Sequence, residues 1–226
     1  MIEIGPGPGA LTERLATRAE RLIAIEIDAA FLEQLHGKFH GNPNVTILNA
    51  DALETDLMQW GPAVIAGNLP YYAATPIIEK TVALAFQRAV FLVQKEVAAR
   101  LAAAAGSRNY GYLSVRTQLF ADVEALFDVP PSAFRPAPKV DSTVVRLVPR
   151  NRAAELGIPD PTRFLKFVSQ CFRQKRKTLR NNLAAIFGRD ALNGQPLAGR
   201  RAEELTLLQF ADLYRLLYRE PGGQNA

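Results

Sequence analysis

Short β-rich, largely apolar runs alternate with helical patterns through the first two-thirds of the chain. IEI (2–4) precedes LTERLATRA, LIAIEI (22–27) precedes AAFLEQLHGKF, and VTIL (45–48) leads into a mixed stretch ending at Trp60-Gly61. AVIAG (63–67) is followed by TPIIEKTVALAF, and AVFLVQ (89–94) by EVAARLAAAA. Runs that are apolar on both faces and separated by helices predict a parallel sheet covered on both sides. The alternation then breaks. YLSVRTQLF predicts one more helix, whereas VEALFDV and STVVRLV predict two strands with no helix between them, which can pair antiparallel at a sheet edge.

In PRNRAAELGIPDP (149–161), Pro, Arg and Gly interrupt both periodicities, which predicts a linker. Beyond it TRFLKFVSQCF, KTLRNNLAAIF, RAEEL and LLQFADLYRLLY are helical in pattern, and the tail EPGGQNA is expected to fray. The expectation is two domains: an α/β domain over 1–150 and a small α-helical domain over 151–226. A Rossmann-like sheet ending in a hairpin is the architecture of class I methyltransferases.

Composition narrows the function. The 226 residues include one cysteine, Cys171, so no internal disulfide forms, no metal cluster is expected, and burial is its simplest role. The only histidines, His36 and His40, lie in a polar stretch, which argues against histidine-based catalysis. Neither a membrane span nor a signal peptide is visible, so a cytoplasmic protein is expected. Residues 1–150 hold 14 Lys/Arg against 15 Asp/Glu, whereas 151–226 hold 13 against 7. A polyanionic partner would be gripped mainly by the last third, and nucleic acid is the natural candidate.

Candidate chemistry starts at Glu3-Ile4-Gly5-Pro6-Gly7-Pro8-Gly9, between the first strand and its helix. Glycines there let backbone approach a ligand closely. The spacing of Gly5, Gly7 and Gly9 departs from the dinucleotide pattern, and Glu3 has no role in phosphate binding. An acidic residue suits a cationic methionine moiety, for which it can orient the loop and add negative potential. Glu26, beside Ile27 at the end of the second strand, can accept both ribose hydroxyls, unless it is simply a solvated strand end. Asp51, beside Ala52 after the third strand, can accept from an adenine amino group. Together these contacts favour S-adenosylmethionine over a nicotinamide cofactor. At the end of the fourth strand stands Asn68-Leu69-Pro70-Tyr71. The Asn68 side-chain oxygen and Leu69 carbonyl can take the two N–H groups of an exocyclic adenine amine and free its conjugated lone pair, while Pro70 stiffens the turn and Tyr71 stacks on the base. Farther on, Arg173, Lys175, Arg176, Lys177 and Arg180 place five positive charges within eight residues, which fits phosphate neutralisation better than a solvated helix face. Arg108, Arg135 and Lys139 flank the expected pocket and are either RNA-backbone contacts or solvated charges.

In this order, IEIGPGPGALT, EID, NADAL and NLPYY resemble the rRNA adenine N6-dimethyltransferase family. FRPAPKVDSTVVRL (134–147), GSRNYGYLSV (106–115) and FRQKRKTLRNNL (172–183) resemble its small-subunit, KsgA-type branch more than the Erm resistance methylases of the large subunit. The resemblance covers nearly the whole chain. It implies S-adenosylmethionine-dependent methylation of two adjacent adenosines in the 3′-terminal hairpin of 16S rRNA, within the immature 30S subunit, by a monomer. It also implies that Phe134 packs against the target adenine opposite Tyr71. Family members carry a Gln-Asn-Phe-Leu segment before the first strand that caps the cofactor, and this sequence starts at the equivalent of that strand. Weakened cofactor binding is the corresponding expectation, and a non-catalytic ribosome-assembly module the alternative reading.

Overall fold

The apolar runs form seven strands of one sheet. The computed structural model describes residues 1–218, so the tail EPGGQNA lies outside the described residues. The strands are β1 (Ile2–Ile4), β2 (Leu22–Glu26), β3 (Val45–Asn49), β4 (Val64–Asn68), β5 (Arg88–Gln94), β6 (Ala121–Val129) and β7 (Ser142–Pro149). Their order across the sheet is β3-β2-β1-β4-β5-β7-β6. β1 to β5 run parallel, β7 lies antiparallel beside β5, and β6 closes the edge as the expected antiparallel partner of β7. Every residue of β2 is buried, its apolar run from Leu22 to Ile25 as a strand paired on both sides requires, and Glu26 at its carboxyl end as well.

The connecting helices are α1 (Ala10–Ala16), α2 (Ala29–Lys38), α3 (Ala74–Val82) and α4 (Lys95–Leu101). The Asp28 side chain caps α2 by accepting from the Ala30 N–H at 2.9 Å. From β1 the chain steps outward to β2 and β3, then returns to β4 on the other side of β1. The carboxyl ends of β1 and β4 therefore form the switch point where a doubly wound sheet opens a crevice. Gly67 makes the approach of these two strands possible: a Cβ there would lie 2.4 Å from the Ile4 carbonyl oxygen.

Two compact units divide the chain, one formed by Met1–Ala99 with Ala121–Arg150, the other by Arg100–Phe120 with the residues from Asn151 onward. This division differs from a single cut at 150. The stretch 100–120, with α5 (Tyr112–Phe120), belongs to the second unit because Tyr110, Val115 and Leu119 share one apolar cluster with Phe164, Phe167 and Leu183. The Gln118 amide reinforces it by donating to the Leu101 and Ala103 carbonyls at 2.9 and 2.8 Å. The expected linker is ordered too. Asn151 caps a short helix, α6 (Arg152–Glu155), and Ala153 and Ile158 are buried in the same cluster.

The remaining helices of that unit are α7 (Pro161–Cys171), α8 (Leu179–Phe187) and α9 (Leu207–Tyr218). α7 starts with Asp160 as cap and proline in its first turn, and it buries Phe164, Leu165, Phe167, Val168 and Cys171, the spacing of one helical face. Cys171 is fully buried, and burial pushes its thiol well above the ordinary range, as befits a packing residue rather than a nucleophile. No helix among the described residues is long and apolar enough to cross a membrane.

Candidate active site

Four consecutive strand ends and one hairpin connection surround a cavity of about 610 Å³ in the first unit, a size suited to a small-molecule ligand. Gly5 and Gly7 follow β1; Glu26 and Ile27 follow from β2; Asp51 and Ala52 follow β3; Asn68, Leu69, Pro70 and Tyr71 lie at the end of β4. Phe134, Pro136 and Pro138 line it from the segment between β6 and β7. Every residue expected to bind cofactor or substrate adenine, except Glu3 and Gly9, thus borders one space.

The glycine loop keeps its shape through backbone geometry. Gly5, Gly7 and Gly9 all have positive φ, at 69°, 53° and 85°, with the fixed rings of Pro6 and Pro8 between them. Gly9 is the left-handed residue that starts α1 rather than part of the cavity wall. Glu26 ties this loop to the next. One of its carboxylate oxygens accepts from the Gly7 N–H and the other from the Asp28 N–H, each at 2.9 Å. Only 5% exposed, it is no solvated strand end, and each oxygen keeps a lone pair for a ligand hydroxyl. Asp51 turns one oxygen back to the Leu53 N–H at 2.7 Å, which leaves the other available.

At the end of β4 the backbone is held firmly. The Leu69 N–H donates to the Leu92 carbonyl at 3.1 Å, and the Pro70 carbonyl accepts from Ala73 and Ala74 at 3.0 and 2.9 Å. The Leu69 side chain is buried. By contrast, neither the Asn68 side chain nor the Leu69 carbonyl has a partner among the described residues, although both residues line the cavity. Two acceptors on rigid backbone are therefore free to receive an amine.

Some residues that shape the site carry no signature in the sequence. Lys80, on α3, donates to the Leu53 and Thr55 carbonyls at 2.5 and 2.6 Å and so pins the loop after β3. Asn49 ties the ends of β2 and β3 by donating to the Glu26 carbonyl at 2.9 Å. No spacing rule reveals either contact. Gly67 did carry a signal, a glycine inside a buried strand.

Glu3 has a different position from the one expected. It lies outside the cavity lining, 1% exposed in the middle of β1, and its Oε2 has no hydrogen-bond partner. Burial, with a smaller push from the Glu26 charge, raises its carboxyl to about 7. It is thus a weaker source of negative potential at neutral pH than expected. An acid with a raised folded-state pKa lends stability below the unfolded-state value and loses it as pH rises through the folded one. Between about pH 4.5 and 7 the wild type should lose about 3 kcal/mol from this group. Glu3→Gln should show no such loss, so denaturant titrations should find the variant the more stable at pH 8, with the gap closing towards pH 4.5. Parallel pH profiles for the two proteins would contradict this.

The cationic candidates lie on both units. Arg135 and Lys139 are exposed on the β6–β7 connection, next to the lining residues Phe134, Pro136 and Pro138. Arg108 belongs to the second unit, where its carbonyl accepts from the Lys175 ammonium at 3.1 Å. Arg173, Lys175 and Arg176 occupy turns between the two expected helices, Lys177, expected to start the second of them, lies on the same turn just short of α8, and Arg180 lies in the first turn of α8. All five are exposed. Buried Asn182 braces these turns at Cys171 and Gln174: its amide donates to the Cys171 and Gln174 carbonyls at 2.8 and 3.2 Å and accepts from the Gln174 N–H at 3.2 Å.

Known proteins resemble this chain in sequence and in structure. A family model described as ribosomal RNA adenine dimethylase matches residues 1–218. The ribosomal RNA small subunit methyltransferase A of Acidobacterium capsulatum is 48% identical over 230 residues, spanning 96% of this chain and 81% of that protein. A dimethyladenosine transferase from Plasmodium falciparum has a similar structure, with a TM-score of 0.81 and 28% identity over 94% of this chain and 87% of its own. The 23S rRNA methyltransferase ErmE also aligns, with a TM-score of 0.71 and 27% identity over 96% and 90%. With the matched region covering both units and every strand end of the cavity, the chain belongs to the ribosomal RNA adenine dimethylase family.

Proposed function

We propose that this protein transfers methyl groups from S-adenosylmethionine to N6 of two adjacent adenosines in the 3′-terminal hairpin of 16S rRNA, during maturation of the 30S subunit in the cytoplasm. The observation that carries the reading is the pair of acceptors unpartnered among the described residues, the Asn68 side-chain oxygen and the Leu69 carbonyl, on the wall of a cavity also lined by Tyr71 and Phe134. The small-subunit assignment is supported by 48% identity to a protein named for that subunit, against 27% to the large-subunit enzyme. A purely structural assembly role would not call for two unpaired acceptors beside a built cavity.

The residues present fit the cofactor. Glu26 would take the ribose hydroxyls on its free lone pairs, Asp51 the adenine amino group, and Ile27, Ala52 and Leu53 the faces of the base, with the glycine loop against the methionine part. When bound, the cofactor supplies an electrophilic methyl on a sulfonium. The chain's own residues prepare the nucleophile. An adenine amine is planar because its lone pair is delocalised into the ring. Donating both N–H groups to fixed acceptors at Asn68 and Leu69 favours a tetrahedral nitrogen and frees that lone pair for attack. The nitrogen becomes cationic on methylation and then loses its proton to water, so no strong base is required. Tyr71 and Phe134 hold the base between them, and the exposed cations at 173–180 neutralise phosphates.

Labelled methyl transfer to unmethylated 30S subunits, read by primer extension on both rRNAs, tests this. Stops at two adjacent adenosines near the 3′ end of 16S rRNA are expected, and a stop on 23S rRNA alone would overturn the assignment.

A further inference from the structure

Among the described residues, Tyr72 is the most exposed of the large hydrophobic side chains, at 80%, yet it lines the cavity. Its exposure does not come from a loose loop. The turn that carries it is closed by hydrogen bonds from Ala73 and Ala74 to the Pro70 carbonyl, and Leu69 anchors the preceding residue in the core. Phe127, the next most exposed aromatic at 61%, lies on β6 and does not border the cavity. A ring held rigidly in water at the rim of a binding site forgoes the burial available to it elsewhere and is ready for a flat partner.

The chemistry of the substrate supplies that partner. A base brought to Asn68 must leave its stack, and its neighbour in the strand then loses one stacking face. Tyr71 and Tyr72 are consecutive and both line the cavity, so two aromatic side chains border the space where two consecutive nucleotides must lie. Tyr71, half as exposed and on the same wall as Leu69 and Pro70, serves the target base. We propose that Tyr72 is the stacking platform for the nucleobase adjacent to the target adenosine, taking the place of the base that has been withdrawn. Arg135 and Lys139, exposed beside lining residues of the β6–β7 connection, sit where the phosphates of such an extended strand can be met.

This inference rests on the RNA-methylating reading above, and the two can fail separately. Wild type, Tyr72→Ala, Tyr72→Phe and Tyr72→Trp would be compared in steady-state methylation of unmethylated 30S subunits, with S-adenosylmethionine affinity measured by calorimetry as the check on folding. Loss of one base–aromatic stack should raise KM for the subunit about tenfold in Tyr72→Ala. The change in kcat should stay within about twofold, because Tyr72 touches neither reacting atom. Phe and Trp should restore KM, since the π-face acts and not the hydroxyl. A wild-type KM in Tyr72→Ala overturns the inference while leaving the reaction standing. A Tyr72→Phe variant as impaired as Tyr72→Ala overturns it as well, by assigning the effect to the hydroxyl. A wild type that methylates no rRNA overturns the parent reading and this inference with it.

Discussion

Replacing Asn68 with alanine should lower the rate of methyl transfer on the order of 10²-fold, the usual loss when one fixed hydrogen-bonding group is removed from a developing charge. The fold itself should hardly notice the change. The Asn68 side chain has no hydrogen-bond partner among the described residues and is exposed at the end of β4, so its removal breaks no hydrogen bond of the described fold. The melting temperature should therefore stay within a few degrees of wild type. The Leu69 carbonyl remains in place and still accepts one N–H, so activity should fall steeply without vanishing. Single-turnover transfer of labelled methyl to 30S subunits measures the chemical step apart from RNA binding. A wild-type rate in that assay would remove the carboxamide from the chemistry.

Gly67→Ala should have a large structural effect on the sheet. The added Cβ would meet the Ile4 carbonyl oxygen at 2.4 Å and the Ile4 carbonyl carbon at 3.3 Å, and both are backbone atoms of β1 that cannot rotate away. β1 and β4 would have to part at the end where they pair through Glu3 and Ala66, next to the crevice. Overpacking of this kind costs about 3 kcal/mol, equivalent to a melting temperature lower by about 6–12 °C in a chain of this size. Cofactor affinity should fall with it, because Gly5 and Asn68 line the cavity from the two strands being separated. Gly37→Ala is the matched control. Gly37 lies within α2, where a new Cβ meets nothing within 4 Å, so the same methyl should stabilise the helix by up to about 1 kcal/mol. Thermal melts of both variants and calorimetric titration with cofactor decide the matter, and a Gly67→Ala protein that melts like wild type would refute the close approach of β1 and β4 as the reason for the glycine.

Several features are legible in the order of residues alone. The strand–helix alternation, the terminal hairpin and the helical end follow from local hydrophobic period, and Glu26, Asp51 and Asn68-Leu69-Pro70-Tyr71 follow from their places at successive strand ends. Such readings work because a parallel strand buried on both faces must be apolar throughout, and its carboxyl end opens on the crevice. Other features depend on partners far away in sequence. The stretch 100–120 joins the second unit because Tyr110, Val115 and Leu119 find apolar neighbours more than forty residues later. Nearer in sequence, the turns carrying the cations at 173–177 are braced by the Asn182 side chain on the Cys171 and Gln174 backbone, a contact that hydrophobic period does not show.

Glu3 marks the boundary most clearly. Its position in the motif is local information, and from it alone a charged group beneath the loop is the natural expectation. Its burial and its raised pKa depend on what α1 and the neighbouring strands place over it, and charge in a protein is set by surroundings rather than by residue type. The chain order of residues determined the class of fold, the order of the motifs and the kind of ligand they suit. Tertiary structure alone decided which backbones approach closely enough to require Gly67, which acceptors stay unpaired at Asn68 and Leu69, and which ring, Tyr72, is left facing the solvent. Each of those depends on atoms brought together across the sheet or through space, and hydrophobic period carries no record of them.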